Sequence, residues 1–160
     1  MITHPIHCPS IELNLIWNEK IFLIEKAKNI NPFNSEFFMW IDAGICTFRN
    51  KKPSITKFPN IYKLNNLPKD KFIYSSSAPF KENKFKKGHY HLNHHISGTF
   101  ILHINIIDNF TNLYKEYLEK LVNKNDIWTD QVIWTFIFKD NKNKFFKLCD
   151  GYGTIINNLL

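Results

Sequence analysis

The sequence predicts an α/β domain, a mixed sheet flanked by helices, on three observations. Stretches with apolar residues at helical spacing alternate along the chain with short apolar runs of strand character. The length of 160 residues suits one core and a single domain over residues 1–160. Hydrophobic residues make up 44% of the chain against five Gly and seven Pro, which excludes a disordered or repeat scaffold.

Residues 10–28, SIELNLIWNEKIFLIEKAK, read as the first helix. Ser10 is able to cap free backbone N–H groups, and Glu12 favours the positive end of the helix dipole. Leu13, Trp17, Lys20 with Ile21, and Ile24 fall at helical spacing, and Asn29, Asn31 and Pro32 end the run. FFMWID, residues 37–42, is a short buried strand. Residues 50–70 are polar, hold Pro53, Pro59 and Pro68, and read as a long loop. KFIYSS, 71–76, is the next strand. A lysine-rich polar stretch, 79–93, leads to HHISGTFIL, 94–102, which reads as a strand, a Gly-marked break and a second extended piece. Residues 104–123 form the clearest helix. Ile107, Phe110, Tyr114, Tyr117, Leu118 and Leu121 make one stripe, with Lys115, Glu116, Glu119 and Lys120 opposite. Thr129 caps a further helix, TDQVIWTFIFKD, with Asp130 in its first turn. KFFKLC, 144–149, is the last strand, and DGYG is the turn after it.

The formal net charge of +7 favours anionic partners. The lysines are scattered, however, and Arg49 is the single arginine, whereas proteins that read base sequence rely on arginine forks. The charge therefore reads as a solvated lysine surface, with no nucleic-acid partner expected. Cys8, Cys46 and Cys149 are odd in number and widely spaced, which gives neither a disulfide framework nor a paired zinc signature. Cys46 and Cys149 read as small core residues. With no signal-like h-region and no apolar run long enough to span a bilayer, a cytoplasmic location is expected.

Three stretches are candidates for chemistry. The apolar strand FFMWID ends on Asp42, and ligands of open α/β sheets bind beyond the carboxyl ends of strands. Ala43 and Gly44 leave room beside that carboxylate, which suits Mg²⁺ or Mn²⁺ and a substrate phosphate; the alternative is an Asp that only turns the chain. Gly98 and Thr99 interrupt an apolar segment, so that a ligand ring comes close to the backbone, or the chain forms a bulge or tight bend. Asp130 and Gln131 stand at a helix start, where a carboxylate is held ready as a general base or only favours the helix dipole. GHYHLNHH, with His89, His91, His94 and His95, lacks an acidic or Cys partner at zinc spacing and reads as polar residues at the surface near a loop.

Taken in order, these blocks resemble the HtrL/YibB-type family of glycosyltransferases over about residues 11–150. The resemblance is carried by Trp17, Lys20, Asn31, Phe33 and Trp40 to Gly44 in WNEKIFLIEKAKNINPFNSEFFMWIDAGI, then by HHISGTFIL and by WTDQVIWTFIFKDNKNKFFKL. It implies a GT-A-like fold, N-terminally minimal because a single helix precedes the aspartate strand, and transfer of a sugar from a nucleotide-sugar donor to a hydroxyl acceptor. It places Mn²⁺ or Mg²⁺ and the donor diphosphate at Asp42, and the acceptor and sugar near Asp130. The aspartate block is D-A-G and holds one carboxylate, where D-x-D would hold two. The alternative is a degenerate binding or assembly module, expected as a homo-oligomer.

Overall fold

The first helix starts where its capping residue predicts, with Ser10 Oγ accepting from the Leu13 amide at 3.2 Å. The computed structural model describes residues 8–42, 45, 55–83, 94–124 and 129–160. The expected single helix over 10–28 is two, α1 (Ile11–Asn18) and α2 (Lys20–Ile30). They part at Glu19, whose amide is shared between the Leu15 and Ile16 carbonyls. After β1 (Phe37–Trp40), the polar region expected to be loop contains a short helix, α3 (Ile61–Asn65), capped by Asn60, whose Oδ1 accepts from the Lys63 amide. Two strands follow, β2 (Phe72–Ser76) and β3 (Ile96–His103), and then α4 (Ile107–Val122), α5 (Asp130–Asp140), β4 (Phe145–Asp150) and the short α6 (Ile155–Asn158).

The break expected at Gly98 is not found, since β3 runs unbroken and lies buried along its whole length, but the expected irregularity is: the register between β3 and β2 shifts between Phe100 and Ile96, the stretch that holds Gly98. Thr129 occupies the N-cap position of α5, but its side chain makes no capping bond. The strand order is β1-β3-β2-β4. β3 is antiparallel to both β1 and β2, while β2 and β4 are parallel. β1, β2 and β4 therefore run in one direction, and their carboxyl ends share one edge of a mixed sheet.

Alternation along the strands sorts side chains onto two faces. Phe72, Tyr74, Ile96, Phe100 and Leu102 pack on Ile21, Ile24, Phe110, Tyr114 and Trp134 from α2, α4 and α5. Trp134 stands at the centre, its ring 4.4 Å from Phe72 and 4.6 Å from Tyr114 between centroids. Ile73 and Ile101 face the other way, into a smaller cluster with Leu67, Ile155 and Leu159. Cys149 belongs to the rim of that cluster, half-buried; Cys8 is the deeply buried cysteine, and Cys46 lies outside the described residues. Among the described residues, no helix is long and apolar enough to cross a membrane.

Candidate functional site

Asp42 follows β1 on the face that carries α2, α4 and α5. Continuing the antiparallel ladder beyond Trp40↔Phe100 sets Asp42 across from Gly98. A Cβ on Gly98 would stand 2.6 Å from Asp42 Oδ2 and 3.1 Å from Lys20 Nζ. The missing side chain thus lets the carboxylate lie over β3 toward the helices, and the space above Gly98 is filled by protein groups. Lys20, the first residue of α2, points its ammonium into this space, with Nζ 2.8 Å from Asp42 Oδ1 and 3.0 Å from Asp130 Oδ2. The contact to Asp130 is an ion pair without hydrogen-bond alignment. Asp42 also accepts from Trp40 Nε1 on Oδ1 and from the Tyr152 hydroxyl on Oδ2, both at 2.8 Å.

Burial is graded across this cluster. The Lys20 and Asp130 side chains are 4% and 3% exposed, while Asp42 is 21% exposed and Tyr152 is exposed. The members that reach solvent are therefore Asp42 and Tyr152. Gln131 points elsewhere and donates from Nε2 to Ser77 Oγ at 3.4 Å. Thr99 lies on the opposite face of β3 from Gly98, fully buried. Ala43 and Gly44 lie outside the described residues.

The two carboxylates are driven apart in acidity. Burial works against the Asp42 anion, but the hydrogen bond and charge of Lys20, with the bonds from Trp40 and Tyr152, outweigh it and hold its pKa below the ordinary value. Burial pushes Asp130 up to about 6; Lys20 opposes the rise and the Asp42 charge adds to it. Folded Asp130 thus binds a proton that the unfolded chain does not hold between its ordinary pKa and about 6. Stability from this group falls as pH rises through that window. Between pH 5 and pH 7 the wild type is expected to lose about 1 kcal/mol that Asp130→Asn does not lose. Urea midpoints of the two proteins across that range check it, and parallel curves would contradict it.

His95, expected at the surface, is buried: its Nε2 meets the Tyr74 hydroxyl at 2.9 Å and its Nδ1 the Ala78 carbonyl at 2.7 Å. Burial holds its pKa below the ordinary value, against the pull of the Ala78 carbonyl. His89 and His91 lie outside the described residues. His95 helps line a cavity of about 430 Å³ at the carboxyl ends of β2 and β4, with Ser76, Ser77, Phe80, Lys147 and Asp150. Gly151, the residue before Tyr152 in the chain, forms part of the wall.

The resemblance implies Mn²⁺ or Mg²⁺ on Asp42, and the donor set tests that implication. Mg²⁺ requires near-octahedral oxygen ligands at about 2.0–2.1 Å. Both Asp42 oxygens already accept from protein donors, and the Lys20 ammonium stands where a cation bridging Asp42 and Asp130 would stand. A dication about 4 Å from that ammonium would meet a repulsion of about 8 kcal/mol at an effective dielectric of about 20. The arrangement fits an ammonium and does not fit a divalent metal while Lys20 keeps its place.

Sequence reasoning assigned no site role to Lys20, Trp40 or Tyr152. Lys20 had a visible signal: a lysine on the apolar stripe of the first helix must find a buried partner. Tyr152 had none, since DGYG carries the marks of an ordinary turn. A model of the HtrL_YibB family, described as bacterial proteins of unknown function, matches residues 1–155. No curated protein and no solved structure matches the chain.

Proposed function

We propose, for a chain that belongs to the HtrL_YibB family of bacterial proteins of unknown function, that it transfers a sugar from a nucleotide-sugar donor to a hydroxyl acceptor on a GT-A-like fold. One observation carries the reading. Lys20 and Asp42 from the first block of the resemblance, Gly98 from the second and Asp130 from the third meet in a single cluster at the carboxyl ends of the parallel strands, where open α/β sheets bind ligands. Burying three charged groups costs several kcal/mol per ion, and apolar residues of similar volume would hold a fold at least as well. Titratable groups with acidities forced apart concentrate at functional sites.

In this reading Asp42 and Tyr152 face the ligand. Asp42, kept ionised, accepts hydrogen bonds from sugar hydroxyls, and the cavity walled by His95 and Gly151 seats the sugar or its acceptor. Asp130 acts through Lys20, because it is buried behind it, and is a positioning residue. Gln131 shapes the cavity wall through Ser77. The setting is the cytosol. Calorimetry with UDP and GDP tests the reading. The wild type is expected to bind one of them, and Asp42→Ala to bind it at least tenfold more weakly. Absence of binding to any nucleoside diphosphate would overturn it.

The full set of internal donors on Asp42 favours a second reading, a degenerate binding or assembly module that keeps the cluster for its fold. That protein would form a homo-oligomer by light scattering, and nucleotide sugars would leave its melting temperature unchanged.

A further inference from the structure

We infer that Lys20 is a resident cation: its ammonium takes the place between Asp42 and Asp130 that a divalent metal would take, and the site works without Mn²⁺ or Mg²⁺. The ammonium touches one oxygen of each carboxylate, at 2.8 and 3.0 Å, as a bridging metal ion would. Its surroundings close around it. Gly98 lies 3.1 Å away, measured to an ideal Cβ, and the Trp40 ring centroid is 5.9 Å from Nζ, within range of a cation–π contact. Trp40 and Tyr152 occupy further lone pairs of Asp42, so a metal would have to displace neutral donors as well as the ammonium.

The backbone reinforces the arrangement. Lys20 opens α2 directly after the break at Glu19, and the next residue, Ile21, is a core residue. Withdrawing the ammonium would pull the first turn of α2 off the sheet. The single carboxylate of D-A-G is consistent with this chemistry: where a metal needs two acidic ligands from one loop, an ammonium needs one acceptor from each of two elements.

The test begins with Mn²⁺ alone, by electron paramagnetic resonance, on wild type, Asp42→Asn and Lys20→Gln. The wild type is expected to show no Mn²⁺ binding that Asp42→Asn removes, and Lys20→Gln is expected to gain a site at least tenfold tighter. Mn²⁺ bound by the wild type and lost in Asp42→Asn overturns the inference, as does a folded Lys20→Gln that gains nothing. If Lys20→Gln does not fold, the wild type and Asp42→Asn decide. A further consequence rests on the sugar-transfer reading: a nucleoside diphosphate binds within about twofold as well in EDTA as in Mn²⁺. Binding that is tenfold tighter in Mn²⁺ and lost in Asp42→Asn overturns the resident cation but keeps sugar transfer. Absence of nucleotide binding in both media removes sugar transfer, while the Mn²⁺ measurement still decides the role of Lys20.

Discussion

Lys20→Met is expected to remove about 3–5 kcal/mol of stability, the cost of leaving buried charges without their counter-ion. The mutant side chain fills a similar volume, so little of the loss comes from a cavity. It comes from two carboxylates that face each other with nothing between them: Asp130, 3% exposed, and Asp42, whose Oδ1 keeps the Trp40 bond but loses the ammonium. A domain of this kind holds about 5–15 kcal/mol in total, so the variant sits close to its folding threshold. Urea unfolding at pH 7 measures the loss. Two further measurements locate its cause. At pH 5 the loss should shrink, because Asp130, whose pKa burial pushes up to about 6, takes up a proton and ceases to be an uncompensated anion. Lys20→Met combined with Asp130→Asn should recover much of it, because neutralising one carboxylate leaves Asp42 with the Trp40 and Tyr152 donors alone, which suffice for an anion that still reaches solvent. A loss unchanged by pH and by the second substitution would show that Lys20 acts through packing of its stem and not through its charge.

What the sequence made legible was local. The stripe Ile107, Phe110, Tyr114, Leu121 reads as one helix face and is one, because a 3.6-residue period survives any tertiary context that offers a core. FFMWID reads as a buried strand ending on a carboxylate; β1 is there, but it is half-buried and ends at Trp40, and Asp42 follows two residues beyond. The failures share one cause. Gly98 looks like a break because glycine is usually a conformational choice; the strand continues through it with a register shift against β2, and the missing Cβ also makes room for a carboxylate from another strand. The division at Glu19 was invisible because apolar periodicity runs across it. His95 looks exposed among polar neighbours until Tyr74 and Ala78, from elsewhere in the chain, supply its partners. Lys20 sat in plain view on an apolar stripe, yet its two partners lie 22 and 110 residues further along, and no window of local pattern joins them. The acidic ends were readable as candidates one at a time. That they share a single ammonium is a property of the fold.

Gly98→Ala is expected to destabilise by about 3 kcal/mol and to abolish whatever binding Asp42 supports. Taken alone, replacing a strand glycine by alanine favours folding by roughly 0.5–1 kcal/mol, because the unfolded chain loses freedom. The sign is therefore set by the space above the residue. The new methyl would lie 2.6 Å from Asp42 Oδ2, well inside contact, so the carboxylate must move. It has little freedom to do so: Lys20 and Trp40 hold Oδ1, and Tyr152 holds Oδ2. Swinging it outward breaks the ion pair and strands Lys20 with Asp130 alone, which transmits a strand substitution to the helix layer. A double-mutant cycle isolates the clash. In an Asp42→Ala background the methyl meets no carboxylate, and Gly98→Ala should become neutral or mildly stabilising. The coupling between the two positions should then be about 3 kcal/mol, read from urea midpoints of the four proteins. If Gly98→Ala were as stable as the wild type in the presence of Asp42, the carboxylate would be free to swing aside. The closed cluster of Lys20, Asp42 and Asp130 would then be one arrangement among several instead of the fixed floor of a site.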